Sequence, residues 1–228
     1  MSIILSIETA TQVCSVALHE NSELLGTQEL LRDKSHSEYL AVMIRDLLDN
    51  KGITVKDLSA VAVSKGPGSY TGLRIGVSTA KGLCYGLKIP LIGVNSLMSM
   101  AFEAQLKNKD KYDLCPMLDA RRMEVYYLIT GPDLKIKQKT KALVIDDTSF
   151  AAELRKGGIY FFGNGIAKSR KILEKHKNAR FIDGLYPKAS NIGFLAAEKY
   201  KKGQFENTET FEPFYLKDFI ATVPKKLI

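Results

Sequence analysis

The chain contains 228 residues, of which 45% are hydrophobic, so it can bury a core as one large domain or as two smaller domains that share an interface. No apolar run approaches the ~20 residues that span a bilayer, and three widely spaced cysteines without a CxxC pair indicate reduced thiols rather than disulfides or a zinc site. The net charge of +8 permits a role with RNA, although solubility is the simpler explanation. We therefore expect a cytoplasmic protein that does not span a membrane.

The first half of the chain predicts three strands followed by alternating helices and strands. The segments IILSIET, CSVALHE and ELLGTQELL are joined by short turns and predict an antiparallel meander. They are followed by a helix (SHSEYLAVMIRDLLDNKG), a buried strand (LSAVAVSKG), a glycine-rich helix (TGLRIGVSTAKGLCYGL), a strand (PLIGV) and a helix (NSLMSMAFEAQL). Ser35 and Glu38 fit a capping box with Ser35 as the helix N-cap, Asn95 fits the N-cap of the last helix, and Gly52 fits a helix stop.

The second half repeats this order without repeating the sequence. The segments YDLCPML, MEVYYLIT and KTKALVI predict strands, and DTSFAAELRKG, GIYFFG, IAKSRKILEKHK, ARFID and SNIGFLAAEKYKKG predict helix, strand, helix, strand and helix. Both halves therefore predict a βββαβαβα unit. The fold class that follows is α/β, with the duplicated lobes of the actin-like ATPase, or acetate-and-sugar-kinase (ribonuclease H-like), architecture, which places ATP in the cleft between the lobes. We expect lobes at 1–104 and 105–228, with the final segment packing back on the first lobe.

The stretch SKGPGSYTGLR, residues 64–74, places three glycines between a predicted strand and a predicted helix. Its spacing matches neither a Walker A motif nor a dinucleotide fingerprint. A glycine-rich turn at a helix N-terminus exposes amide groups that favour anions, but a tight turn before a packed helix explains the same residues. The spacing alone favours the tight turn.

The two predicted helices at 36–50 and 71–87 are unusual in composition. The second carries four glycines, each of which costs a helix interior about 1 kcal/mol relative to alanine, and the first is apolar over more than the single stripe that packing on a sheet requires. Two ordinary core helices remain an alternative. The surplus of apolar and small residues favours a second contact, with a partner protein or a second copy.

Three segments together resemble the TsaB (YeaZ) family: ILSIETATQVCSVAL, KGPGSYTGLRIGVSTAKGLCYGLKIPLIGVNSL and LDARRMEVYY. The resemblance covers most of the chain and is strongest over residues 3–18 and 61–98. It implies the non-catalytic partner subunit of TsaD in bacterial synthesis of threonylcarbamoyladenosine, beside the anticodon of ANN-reading tRNAs. It also implies that the helices at about 36–50 and 71–87 pack with the equivalent pair of TsaD.

TsaD, the catalytic paralogue, carries an HxxxH metal pair where this chain has VNSLMSM. The two histidine positions fall on Ser96 and Met100, and the third ligand position falls on Ser190. Serine and methionine cannot replace imidazoles as ligands for such a cation. The three histidines of the chain have no ligand spacing, and we expect His19, His36 and His176 to be surface or capping residues. The resemblance thus implies no catalytic residue and no bound metal.

The resemblance also assigns candidate site residues. Those expected at the partner interface are His36, Tyr39, Leu40, Met43, Ile44, Leu47, Leu73, Gly76, Val77, Ala80 and Leu83. Those of a vestigial nucleotide or phosphate site are Glu8, Thr9, Gly66, Gly68 and Ser69. Partners implied are a TsaD-type subunit in a heterodimer, a TsaE-type ATPase and tRNA through the complex. A homodimer through the same helices, in competition with the heterodimer, is our own expectation for the chain alone. No cofactor of its own is implied, and ATP or ADP at the complex interface is left open.

Other functions compete with this one. A stand-alone actin-like ATPase or small-molecule kinase would need an acid to hold Mg²⁺, and Glu8 and Asp119 are its candidates; for Glu8 we favour a solvated turn residue. A direct tRNA-binding module would draw on the net charge, with Arg121 and Arg122 at a hairpin tip and Lys217, Lys225 and Lys226 in the tail.

Overall fold

A computed structural model describes residues 2–31 and 36–216. The first half begins with an antiparallel meander and continues with helices that alternate with parallel strands. Its elements are β1 (Ile3–Glu8), β2 (Val13–Glu20), β3 (Glu23–Leu31), α1 (His36–Asp49), β4 (Ala60–Ser64), α2 (Tyr70–Leu87), β5 (Leu91–Val94) and α3 (Ser96–Lys107). The helix N-cap expected at Ser35 lies outside the described residues.

The second half repeats the same order of elements. They are β6 (Asp113–Asp119), β7 (Glu124–Thr130), β8 (Ile136–Val144), α4 (Ala151–Leu154), β9 (Ile159–Phe162), α5 (Ile166–Leu173), β10 (Ala179–Ile182) and α6 (Ala189–Lys201). The two sheets have equivalent orders, β3-β2-β1-β4-β5 and β8-β7-β6-β9-β10. The predicted duplicated α/β fold is therefore confirmed. Two helices of the second half are shorter than the sequence predicts, since α4 is a single turn and α5 ends at Leu173.

Strands β1, β2, β4 and β5 of the first sheet are buried, which explains their nearly continuous apolar sequences. The edge strand β3 is largely exposed. Every residue of β4 is buried, as is every residue of β1 after Ile3. On one face α1 and α2 enclose a cluster that includes Leu5, Val16 and Leu18. On the other face α6, which comes from the second half, packs against Ile4 and Ile92. The second face of the first sheet is thus covered by a helix from the other end of the chain.

Helices α3 and α6 cross between the halves. Helix α3 packs on β6 and β7 through Leu97, Met100 and Ala104, whereas α6 packs on all five strands of the first sheet. The carboxylate of Glu103 on α3 joins the two helices by accepting hydrogen bonds from Lys188 and Asn191, each at 3.1 Å. The expected boundary between residues 104 and 105 therefore falls inside a helix that belongs to the packing of the second sheet.

Residues 205–215, here called the strap, follow α6 and lie on the first half. The amide of Glu206 donates to the carbonyl of Leu91 at 2.9 Å, and Phe211 is buried in the core beneath α2. Lys81 on α2 donates to the carbonyls of Glu209 and Phe211, each at 3.0 Å. The strap is thus a third connection between the halves. Within the described part of the chain, no helix combines the length and apolar character needed to cross a membrane.

Candidate functional site

The glycine loop between β4 and α2 packs against the turn that joins β1 to β2. The amide of Ser69 donates to the carbonyl of Ala10 at 2.7 Å. A Cβ atom added to Gly68 would overlap Ala10, and one added to Gly72 would overlap the carbonyl oxygen of Thr9. These glycines are needed because two segments of the chain's own backbone approach each other closely.

The end of this loop is closed by a local cap and by the strap. The Ser69 hydroxyl accepts a hydrogen bond from the amide of Gly72 at 3.3 Å and so caps α2. Gly66 has a φ of +102°, and the amide of Phe214 in the strap donates to the carbonyl of Lys65 at 2.6 Å. The geometry agrees with the tight turn that the spacing favours, and the assignment of Gly66, Gly68 and Ser69 to a vestigial phosphate site stays a prediction.

Glu8 is fully buried, so the expectation of a solvated turn residue is wrong. Its Oε1 atom accepts a hydrogen bond from the amide of Ala10 at 2.6 Å. Burial raises the pKa of this carboxyl to about 7, against the opposing effect of hydrogen bonds from Ala10, Ser64 and Thr9. Thr9 is fully buried beside it. A carboxyl enclosed in this way is not presented to solvent.

The apolar residues predicted at a partner interface pack mainly within the chain itself. The members of that set that belong to the core of the first half are Leu40, Met43, Ile44, Leu47, Val77 and Ala80, and Tyr39 and Leu83 pack against it partly buried. Leu73 and His36 are also buried. Their apolar character is thus explained by the chain's own core, and these apolar residues no longer indicate a second contact. Their assignment to a partner interface stays a prediction.

A different set of residues forms the outward side of α1 and α2, here called the α1/α2 face. It comprises Glu38, Ala41, Val42 and Arg45 on α1, and Arg74, Ser78, Gly82, Tyr85 and Gly86 on α2. Tyr85 is 79% exposed. Gly76 contacts Thr9, but a Cβ added to Gly82 or Gly86 would meet no atom within 4 Å among the described residues. Two of the four glycines of α2 therefore leave its outer surface bare.

The positions that the resemblance assigns to metal ligands of the catalytic paralogue lie on α3 and α6. Ser96 and Met100 on α3 are both fully buried, and Met100 belongs to an apolar cluster. Ser190 lies in the first turn of α6. Over residues 2–31 and 36–216, no three His, Cys, Asp or Glu side chains come close enough to hold a metal ion.

Two of the three histidines are buried rather than on the surface. His19 is not a surface residue: it is fully buried on β2, its ring lies edge-on to Phe194 at 4.8 Å, and Gly193 leaves room for it. Burial lowers its pKa to about 4. His36 is buried at the start of α1, and His176 is half-buried after α5. The strand position of His19 is the only sequence signal that could have indicated its burial.

The hairpin tip between β6 and β7 is charged and exposed. Arg121 and Arg122 have positive φ angles of 69° and 49°, and both are exposed. Asp119 accepts hydrogen bonds from the amide of Arg121 at 2.8 Å and from Lys168. The candidate acid is thus already paired with a cation. The tail residues Lys217, Lys225 and Lys226 lie outside the described residues.

The cleft between the halves holds a cavity of about 280 Å³. Thr11 and Gln12 line it from the first half, and Leu118 and Asn164 line it from the second. Across its mouth the Tyr186 hydroxyl donates to the Glu29 carboxylate at 2.7 Å, which raises the pKa of Tyr186 to about 12. Neither Glu8 nor Asp119 lines this cavity, so the structure does not bring the two candidate acids together in it.

The chain has the duplicated α/β fold that is shared by the actin-like ATPases. The activator of 2-hydroxyisocaproyl-CoA dehydratase from Clostridium difficile, solved with bound ADPNP, superimposes with a TM-score of 0.52 over 96% of this chain and 100% of its own, at 10% identity. A family model described as TsaD, tRNA N6-adenosine threonylcarbamoyltransferase, matches residues 30–225. YeaZ from Pseudomonas aeruginosa has a TM-score of 0.83 and 26% identity over 95% of this chain and 100% of its own.

Curated sequences identify the family among the proteins that share this fold. The Escherichia coli protein named tRNA threonylcarbamoyladenosine biosynthesis protein TsaB is 32% identical over 96% of each chain. The TsaB protein of Bacillus subtilis is 29% identical over 86% of this chain and 87% of its own. The chain belongs to the TsaB (YeaZ) family, as the resemblance in the sequence implies.

Proposed function

We propose that this chain takes part in tRNA threonylcarbamoyladenosine synthesis as a non-catalytic subunit that binds and activates a TsaD-type catalytic subunit. The observation that carries the proposal is its similarity to TsaB proteins over nearly its whole length. The partner assignment draws further support from the TsaD family model, which matches most of the same chain. Two chains of one duplicated fold offer equivalent helices for packing against each other.

The α1/α2 face is the surface we assign to this contact. Its small residues Ser78, Gly82 and Gly86 are spaced four apart and lie along one side of α2. Bare helix surface of this kind allows the backbone of another helix to approach closely, and Val42 and the exposed Tyr85 supply apolar contact area beside it. The buried residues of the earlier assignment, such as Met43, would act by supporting these two helices from below.

The test uses a large side chain placed where the free chain has room. Gly82→Arg adds bulk at a helix position that no described atom approaches within 4 Å, so it should leave folding intact and even favour the helix by up to about 1 kcal/mol. Gly157→Arg is the matched control, because Gly157 is equally unobstructed and lies in the second half. Gel filtration with light scattering, alone and with the TsaD-type subunit of the same organism, measures the complex.

We expect Gly82→Arg to weaken the complex at least tenfold, and Gly157→Arg to leave it unchanged. A folded Gly82→Arg variant that still forms a stable complex would contradict the assignment of the α1/α2 face to the interface. The same preparations, assayed for ATP turnover, address the stand-alone ATPase. That alternative requires turnover by the isolated chain that Glu8→Gln abolishes, whereas the burial of Glu8 leads us to expect none above background.

A further inference from the structure

The net positive charge of the chain comes entirely from its second half. Residues 1–104 contain 9 Lys and Arg against 10 Asp and Glu, a net charge of −1. Residues 105–228 contain 24 Lys and Arg against 15 Asp and Glu, a net charge of +9. Solubility alone does not require such a division, because charge spread over the whole surface serves it equally. The division indicates a surface on the second half that meets a polyanion.

The topology of the second sheet collects many of these cations at one edge. Strands β6, β9 and β10 are parallel neighbours, so the loops that precede them lie side by side. The amide of Asp113 donates to the carbonyl of Gly158, and the amide of Ile159 donates to that of Asn178, both at 3.1 Å. Because adjacent strands are about 4.8 Å apart, the three loops fall within about 10 Å of one another.

Each of these three loops contributes exposed cations. They are Lys109 and Lys111 before β6, Arg155 and Lys156 before β9, and Lys177 before β10, with Arg180 on β10 itself; these six form what we call the basic edge. Within the described residues, none of the six has an acidic side chain within 4.0 Å, since every ion pair there involves other cations. Their charge is therefore not neutralised locally.

Two acids of the same region contact groups other than these six cations. Asp113 pairs with Lys137 at 2.7 Å, and Asp110 accepts a hydrogen bond from the Tyr160 hydroxyl at 2.5 Å. Tyr160 and Tyr112 form a half-buried ring pair with centroids 5.4 Å apart, between the first and second of the three loops. Aromatic rings among exposed cations are typical of surfaces that contact nucleic acid, because bases and riboses pack on the rings while the cations reach phosphates.

We propose that the basic edge binds the phosphate backbone of RNA, and that the RNA is the tRNA on which the complex acts. The choice of tRNA rests on the proposed function; the choice of a polyanion rests on the cations alone. The α1/α2 face belongs to helices of the first half, so its residues are distinct from those of the basic edge.

The experiment reverses one charge in each loop, Lys109→Glu, Lys156→Glu and Lys177→Glu together. The control variant carries the same change of net charge at three other exposed lysines, Lys51→Glu, Lys56→Glu and Lys202→Glu. Fluorescence anisotropy measures binding of an unmodified tRNA transcript with an ANN-reading anticodon, from 50 to 200 mM salt. Both the chain alone and its complex with the TsaD-type subunit are titrated, and gel filtration records whether the complex forms.

We expect the basic-edge variant to bind the transcript at least tenfold more weakly at 50 mM salt. We also expect its dependence of log affinity on log salt to be shallower by about 2, because three phosphate contacts are lost, whereas the control changes affinity less than threefold. Unchanged binding by the basic-edge variant, or an equal loss in the control, would overturn the proposal. The proposal would also be overturned if the basic-edge variant kept its tRNA affinity but no longer bound the TsaD-type subunit, because the basic edge would then contact protein. A failure of the proposed function would be recognised separately, because the wild-type chain would then form no complex with the TsaD-type subunit in gel filtration.

Discussion

Gly72 on α2 lies directly against the carbonyl group of Thr9, so closely that a single methyl group on Gly72 would overlap the Thr9 oxygen. This contact fixes the first turn of α2 on the turn between β1 and β2. Gly76, one turn further along, contacts the Thr9 side chain in the same way. The glycine-rich segment therefore holds a helix close to a strand turn, and the absence of side chains there is a packing requirement.

Gly72→Ala should destabilise the chain by about 2 kcal/mol or more, because the added methyl group must displace backbone that has no space to move. Gly82→Ala on the same helix is the control: it meets no described atom and should stabilise the chain by up to about 1 kcal/mol. Urea unfolding of the three proteins measures both effects. Equal free energies of unfolding for the two variants would contradict the packing role of Gly72.

Glu8→Gln should change how stability depends on pH. The pKa of Glu8 is about 7 in the folded chain and about 4.5 when unfolded, so between these values the unfolded chain has released a proton that the folded chain retains. This group's contribution to the free energy of unfolding therefore falls as pH rises from about 4.5 to 7, by about 3 kcal/mol in total. Gln carries no charge, so the variant should gain stability over wild type at pH 8 and little at pH 4. A difference independent of pH would show that Glu8 does not titrate in this range.

The effect of His19 on the pH dependence of stability is opposite to that of Glu8. Its pKa is about 4 in the folded chain and 6.5 when unfolded, so acidification protonates the unfolded chain first and stability is lost as pH falls from about 6.5 to 4. The contributions of Glu8 and His19 to the free energy of unfolding change in opposite directions over most of this pH interval. In the Glu8→Gln variant, the loss of stability at low pH that is due to His19 should therefore become visible. NMR of the histidine rings should show that the His19 signal does not titrate between pH 8 and 5.5. A midpoint above pH 6 would contradict its burial.

Lys81→Met should loosen the strap without unfolding the first half. Lys81 supplies two hydrogen bonds to strap carbonyls, and methionine keeps the apolar stem while removing both donors. Hydrogen exchange should therefore accelerate at residues 205–215 and stay unchanged in β6 to β8. Lys56→Met, at an exposed site on the first half, serves as the control. Strap exchange equal to wild type in the Lys81 variant would show that other contacts hold this segment.

Much of the fold could be predicted because its signals are local. Strand and helix periodicity in each half, together with turn residues, gave the order of elements that the structure has. The ends of α4 and α5 could not be predicted in this way. Phe150 adopts a left-handed conformation with a φ of 60° at the start of α4, which its residue type does not indicate, and the helix ends after one turn at Leu154.

The candidate site was less predictable, because burial is decided by elements distant in sequence. Met43 and Val77 have the composition of a contact surface, but the first sheet already covers them. The sequence predicts Glu8 to be an exposed turn residue, but the turn after it packs beneath α2 and Glu8 is buried. The sequence places His19 at an exposed strand end, but α6 from the second half covers it. The exposed surfaces are Gly82 on α2 and the three loops of the basic edge. They can be identified only when it is known which residues are buried by contacts within the chain.

The sequence by itself determined the duplicated order of strands and helices, the family and the absence of histidines at ligand spacing, since each is written in residue type and local spacing. Only the tertiary structure decided which apolar helix residues are core, that Glu8 and His19 are enclosed, and that cations from separate loops share one edge. The physical reason is that these properties depend on contacts between segments far apart in the chain. Periodicity reports the face of an element, but packing decides what covers that face.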